Sequence, residues 1–375
     1  MAANIQFSKA VSNATRFVRI RKDFRLFRGE VLPEIDIAYE CWGQLSPQRD
    51  NAVLLFTGLS PSAHAASSLE DATPGWWEYM VGPGKALDTR KFFVICVNSL
   101  GSCFGSTGPA SVNPATGQPY RLAFPDLTVE DIACAGRQVY RSLGISRLHT
   151  VLGSSLGGMS ALVLAVMFPE EVTRLVSISA AAQSSPFGIA IRSLQREIIR
   201  NDPKWNNGDY RFDDPPTDGI RLGRKLGLIT YRSAAEYAQR FGRKRKFDGH
   251  TDRAPFGPEF EIEHYLEHNA GKVLGHFDTN CYLYLSRAID WFDLAAHGGS
   301  YEDALGRIKT VDNLVIGVRT DFLFPISQQQ EIADALRQHG KSVLFQVLES
   351  IQGHDSFLID QDRFAPIIRD FMSGN

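Results

Sequence analysis

Few folds accommodate the pentapeptide Gly153-Ser154-Ser155-Leu156-Gly157 where this chain places it, between an apolar β-prone run, Leu148 to Leu152, and a helix-prone run, Leu156 to Met167. As an isolated Gly-x-Ser-x-Gly pattern it is loose. Between a strand and a helix it describes a nucleophile elbow, a turn tight enough that side chains at its first and last positions would collide. The central serine then projects beyond the end of the strand. The following helix directs its positive N-terminal end to the same place, where it favours developing negative charge. Ser155 is therefore the candidate nucleophile, and Ser154, at the variable position, is expected to point elsewhere.

Around this elbow, short β-branched and apolar runs recur at Ala52 to Thr57, Phe92 to Val97, Leu175 to Ser179, Leu314 to Val318 and Val343 to Leu348, with helical stretches such as Gln328 to His339 between them. Such alternation predicts a mostly parallel sheet covered on both faces. Together with the elbow it gives an α/β class, of the α/β-hydrolase type. From Pro186 to Ser300 the strand signal disappears and helices are expected at Ile189 to Arg200, near Leu222, and at Ala234 to Phe241, Phe260 to Gly271 and Cys281 to Ala296, with Asn201 to Gly219 a loop. The expected organisation is a core over 1–185, a helical lid over 186–300 and a second core segment over 301–375.

A formal charge of -2 over 375 residues creates no overall field that would gather nucleic acid, and no run approaches the ~20 apolar residues that span a bilayer. A small-molecule partner is expected instead. Met1 to Thr15 lacks the basic start and apolar run of a secretory signal, so the expected location is cytoplasmic. The five cysteines are scattered without a Cys-x-x-Cys pair, and read as reduced thiols. His264 and His268 share a helix face but stand among glutamates, and read as a solvated face; no metal site is expected.

A serine needs a base, and the base needs a carboxylate to orient it. In this fold the chain order is Ser, acid, His. His354 follows the last expected strand and Asp321 the one before it, so both fall beyond carboxyl ends of strands, on the edge that carries Ser155. For the oxyanion, one backbone donor is expected from Leu156 and one from the loop Gly58-Leu59-Ser60-Pro61; Pro61 has no N–H, which leaves Leu59. A competing pattern, Gly101-Ser102-Cys103-Phe104-Gly105, also follows a strand. It is followed by Ser106-Thr107-Gly108-Pro109 rather than a helix, so Cys103 lacks both elbow and dipole and reads as part of a glycine-rich loop.

The stretches Gly82-Pro83-Gly84-Lys85, Asn98-Ser99-Leu100-Gly101-Ser102-Cys103, Phe124-Pro125-Asp126-Leu127-Thr128, Ile229-Thr230-Tyr231 and Gly353-His354-Asp355, within a match running from about Leu32 to the C-terminus, resemble the homoserine O-acyltransferase family. Gly58-Leu59-Ser60-Pro61, Ile189 to Arg196 and Asn280 to Ser286 look like its serine O-acyltransferase branch, particularly the bacterial serine O-succinyltransferases. The resemblance implies acyl-CoA as co-substrate, no bound cofactor, and L-serine as acceptor, with L-homoserine the alternative. It implies that Arg224 grips the acceptor's carboxylate and Asp355 its ammonium, and that Gly58 to Pro61, Arg192 and Leu323 bear on specificity. Leu323 stands where succinyl-transferring homoserine enzymes tend to have arginine, as in the acetyl-transferring enzymes, but the branch resemblance favours succinyl-CoA over acetyl-CoA as donor. Arg192 could hold a succinyl carboxylate or be a surface helix arginine. The family implies a homodimer, to which Tyr282, Tyr284, Trp291 and Phe292 could contribute unless they line the acyl tunnel. A serine ester or thioester hydrolase would use the same triad.

Overall fold

The computed structural model describes residues 11–246, 256–272 and 274–374; the first ten residues of the polar N-terminal stretch lie outside them. Eight strands form one sheet: β1 (Arg16–Ile20), β2 (Ile35–Trp42), β3 (Ala52–Phe56), β4 (Phe93–Val97), β5 (Leu148–Ser154), β6 (Val172–Ile178), β7 (Asp312–Val318) and β8 (Ser342–Leu348). Their spatial order is β1-β2-β4-β3-β5-β6-β7-β8. The pairings of β2 with β1 and with β4 are antiparallel, and the rest are parallel. Every residue of β3 is buried, because both faces of the sheet are covered.

Alternation along a strand sends side chains to two separate cores. Leu54 and Phe56 of β3 join the cluster that contains Ile132, Val139, Leu162 and Leu336, whereas Val53 and Leu55 join the one built around Trp77, Phe364 and Ile368. The helices responsible are α1 (Val129–Ser142), α2 (Leu156–Met167) and, later in the chain, one spanning Ile326–Gln338 on the first face and one spanning Gln361–Ser373 on the second. Each fully buried Leu, Ile, Val or Phe contributes ~1.5–3 kcal/mol. That packing fixes the strand ends from which the site's loops leave.

Between β6 and β7 the described residues hold α3 (Pro186–Arg200), α4 (Thr217–Tyr231), α5 (Ala234–Phe241), α6 (Glu261–Gly271), α7 (Thr279–Trp291) and α8 (Tyr301–Gly306). The chain closes with α9 (Ile326–Gln338), α10 (Ser356–Ile359) and α11 (Gln361–Ser373). Three local readings change. Asn201 to Gly219 is not simply a loop, since it holds a 3-10 turn at Pro203–Gly208 and the first residues of α4. The helix expected to reach Ala296 ends at Trp291, where Phe292 turns extended and Asp293 caps a new turn at Leu294–His297. Strands β1 and β2 were not expected: β1 is an arginine-bearing edge, and β2 carries Asp36 and Glu40 among its apolar residues.

Candidate active site

Strand β5 delivers Ser155 into a strained elbow with φ 55 and ψ -124, a conformation costly for a residue with a side chain. What enforces it is contact. A Cβ on Gly153 would lie 2.2 Å from the carbonyl of Gly157, and one on Gly157 would lie 2.3 Å from the carbonyl oxygen of Phe56. The backbone N–H of Ser155 donates to the carbonyl of Ile178 at 2.9 Å, pinning the turn to β6. Ser154 is buried and Ser155 partly exposed, as the pattern leads one to expect.

Asp321 and His354 are both buried, and Asp321 Oδ2 lies 2.7 Å from His354 Nδ1. The other carboxylate oxygen accepts from the backbone N–H groups of Leu323, at 3.0 Å, and Phe324, at 2.9 Å. Three contacts thus fix the carboxylate, and Nε2 is left as the ring nitrogen available for proton transfer. Phe324 stacks on the imidazole at 5.0 Å between ring centroids, and Phe357 meets it edge-on at 5.6 Å. Burial acts against the imidazolium, but the charge of Asp321 and its hydrogen bond prevail and raise the His354 pKa.

Beside the elbow runs the loop that leaves β3. A Cβ on Gly58 would sit 4.0 Å from the Ser154 carbonyl oxygen, so Gly58 lies beside the elbow. Asn98 Nδ2 donates to the carbonyl of Pro61 at 3.3 Å, and further along His64 is held between Glu40, at 2.9 Å, and the Thr73 carbonyl, at 2.8 Å. Leu156 opens α2, where a backbone N–H has no partner within its own helix. The Leu156 N–H is therefore free of intrahelical bonding, and Leu59 follows Gly58 on the adjoining loop.

Arg224 of α4 extends toward that loop, with Nη1 3.4 Å from Ser60 Oγ and its guanidinium 5.8 Å from the centroid of the Tyr231 ring. Its Nε is buried with no hydrogen-bond partner among the described residues. Asp355 has a partner that the sequence reading missed: Arg232, whose Nε is 3.2 Å from Asp355 Oδ2. Burial pushes the Asp355 carboxyl pKa up, against the opposing pull of Arg232, His354 and Arg224. The sequence signal for Arg232 was its place directly after Ile229-Thr230-Tyr231, a stretch already singled out.

Arg192 is not a surface arginine. It is buried, with Nε 2.5 Å from Asp290 Oδ1 of α7, and Arg196 holds the other oxygen at 2.6 Å. It nonetheless lies near enough to His354 for its charge to oppose the imidazolium. Leu323 is buried beside Asp321. Cys103 is fully buried and accepts from the backbone N–H of Asp278 at 3.3 Å, in a loop with no helix after it. Tyr282, Tyr284 and Phe292 are buried within the chain, while Trp291 is partly exposed under the guanidinium groups of Arg28 and Arg287. Among the described residues no group of three or more His, Cys, Asp or Glu side chains could hold a metal ion, and no helix is long and apolar enough to cross a membrane.

The family model of the alpha/beta hydrolase fold matches residues 51–360. A serine O-succinyltransferase of Litchfieldella anticariensis is 57% identical over 363 residues, covering 96% of this chain and 99% of that protein. Among solved structures, the homoserine O-acetyltransferase of Bacillus anthracis superposes with a TM-score of 0.87 at 28% identity, covering 96% of this chain and 97% of that one. Esterase E22 superposes with a TM-score of 0.86 at 30% identity, covering 96% and 99% respectively.

Proposed function

The chain belongs to the homoserine/serine O-acyltransferase family of the α/β-hydrolase fold, and from that premise we propose that it moves a succinyl group from succinyl-CoA to the hydroxyl of L-serine through an ester on Ser155. His354, oriented by Asp321, takes the Ser155 proton as the hydroxyl attacks the thioester carbonyl. The oxyanion that forms is met by the N–H groups of Leu59 and Leu156, and coenzyme A leaves as the thiol with the proton from His354. Serine then binds through its carboxylate to Arg224 and its ammonium to Asp355. His354 removes the proton of its hydroxyl, the second tetrahedral intermediate collapses, and O-succinyl-serine departs with Ser155 restored.

The observation that carries the reading is that Arg224, whose buried Nε has no hydrogen-bond partner among the described residues, lies near enough to Asp355, one residue beyond the base, for its charge to act on that carboxyl. A receptor for a free amino acid serves a transferase, whereas water as acceptor needs none. Succinyl is favoured over acetyl by the named relatives, with Arg192 the proposed contact for the distal carboxylate even though Asp290 shares its charge. We propose further that helices α3 to α7 act as a lid excluding water from the acyl-enzyme. The enzyme is proposed to be cytoplasmic and a homodimer; because Tyr282, Tyr284 and Phe292 are buried, Trp291 and the exposed Phe187, Leu194, Leu222 and Ile229 of α3 and α4 are among the apolar side chains available for contact.

The test is coenzyme A release from succinyl-CoA and acetyl-CoA with serine, homoserine or water as acceptor. Serine-dependent release supports the reading. Homoserine dependence would move the acceptor, and release indifferent to either amino acid would favour the esterase-like alternative suggested by the likeness to esterase E22.

A further inference from the structure

Tyr231, Arg232 and Ser233, at the junction of α4 and α5, all touch the turn that carries His354. The Tyr231 ring lies 6.0 Å from the imidazole between centroids. Arg232 Nη1 donates to Gln352 Oε1 at 2.8 Å, and Ser233 Oγ donates to the carbonyl of Ile351 at 2.5 Å. Gly353, with φ +67, lets the backbones meet: a Cβ there would lie 2.8 Å from the carbonyl carbon of Arg232. Within this seam Arg232 also reaches Asp355, at 3.2 Å.

That contact has an unusual form. A structural arginine–carboxylate pair is commonly bidentate, with two aligned N–H donors. Here Nε is 3.2 Å from Asp355 but buried without a hydrogen bond among the described residues, and Nη1 is turned to Gln352 and, at 4.0 Å, to Glu236. Asp355 thus feels a cation but keeps its acceptor capacity. We propose that Arg232 is a positioning residue, the helical segment's own counter-ion for Asp355, which fixes that carboxylate for the ammonium group of the acceptor. The inference rests on the acyl-transfer reading, in which Asp355 receives that ammonium.

The electrostatics around Asp355 agree. Burial favours its neutral form and Asp321 adds to that; Arg232, His354 and Arg224 oppose it, with Arg232 the strongest. Tyr237 of α5 also faces Asp355, and Glu236 of α5 faces it through Arg232. Without Arg232 the carboxyl would hold its proton to higher pH, and a protonated Asp355 offers no charge to an ammonium.

The experiment compares the full-length enzyme with Arg232→Gln and Arg232→Lys, measuring rapid coenzyme A release without serine, kcat/KM for serine against pH, and thermal unfolding. In R232Q the initial release should persist, kcat/KM for serine should fall about tenfold, and its acid limb should move to higher pH. R232K should restore the limb. An unmoved acid limb in R232Q, or loss of initial release and serine use together with the fold, would overturn the inference. A wild-type enzyme whose coenzyme A release ignores serine would instead overturn the acyl-transfer reading, and this inference with it.

Discussion

The two halves of the candidate site are finished to different degrees. At the sheet edge Asp321 already has three partners, the imidazole is stacked and fixed, and the serine is locked in its strained turn by glycine contacts. On the helical side, Arg224 Nε, Arg232 Nε and Glu236 Oε2 are buried without hydrogen bonds among the described residues, and of these Arg232 and Glu236 have ion-pair contacts in the chain. Leaving such groups unmet costs ~1–3 kcal/mol each. On the proposed reading, the Asp321–His354 pair and the elbow are held by the fold itself, whereas Arg224 keeps a buried donor that the acceptor's carboxylate would meet.

The largest effects should come from the sheet edge. Ser155→Ala and His354→Ala should each lower turnover by about a millionfold, with unfolding temperatures little changed; residual turnover of even one per cent in Ser155→Ala would break the assignment. Asp321→Asn should cost about ten-thousandfold in kcat. Its residual activity should also show the sign of the lost charge: Asp321 raises the His354 pKa, so the acid limb of the rate profile should shift to lower pH in the variant. A limb that stays in place would point to another acid.

Smaller effects belong to the recognising side. Arg224→Ala should weaken kcat/KM for serine by roughly ten- to a hundredfold, one lost charge-assisted contact of ~1.5–3 kcal/mol, while leaving the rate of initial coenzyme A release near normal. Loss of that initial release with an unchanged serine dependence would put Arg224 on the donor side. Smallest is Pro61→Gly, which relaxes the loop that Asn98 anchors. It should move the serine-to-homoserine preference by about tenfold, toward the low end of the ~1–3 kcal/mol that a whole methylene is worth; competition between the two acceptors in one reaction reads it directly.

The same division governs how much could be read from the chain. The parallel strands and the elbow were legible because burial on both faces makes β3 a continuous apolar run, because β5 keeps Val151 and Leu152 before the turn, and because the turn tolerates only glycine at two positions. Asp321 and His354 were placed by strand ends and chain order. By contrast, β1 and β2 hide their pattern behind Arg16, Arg19, Asp36 and Glu40, whose partners lie elsewhere in the chain: Asp36 meets Arg21, and Glu40 meets Thr15 and His64. The Arg232–Asp355 contact and the sharing of Asp290 by Arg192 and Arg196 join helices to distant segments. No local periodicity encodes them.

The central claim, that the acyl group waits on Ser155 until an amino acid completes the second half of the site, is tested most directly by intact-protein and peptide mass spectrometry of the wild-type enzyme mixed with succinyl-CoA, before and after adding serine. A succinyl adduct on the Ser155 peptide should form without serine and disappear when serine is added, with O-succinyl-serine in solution. Turnover with no adduct at any time, or an adduct carried by Cys103 and insensitive to serine, would contradict it.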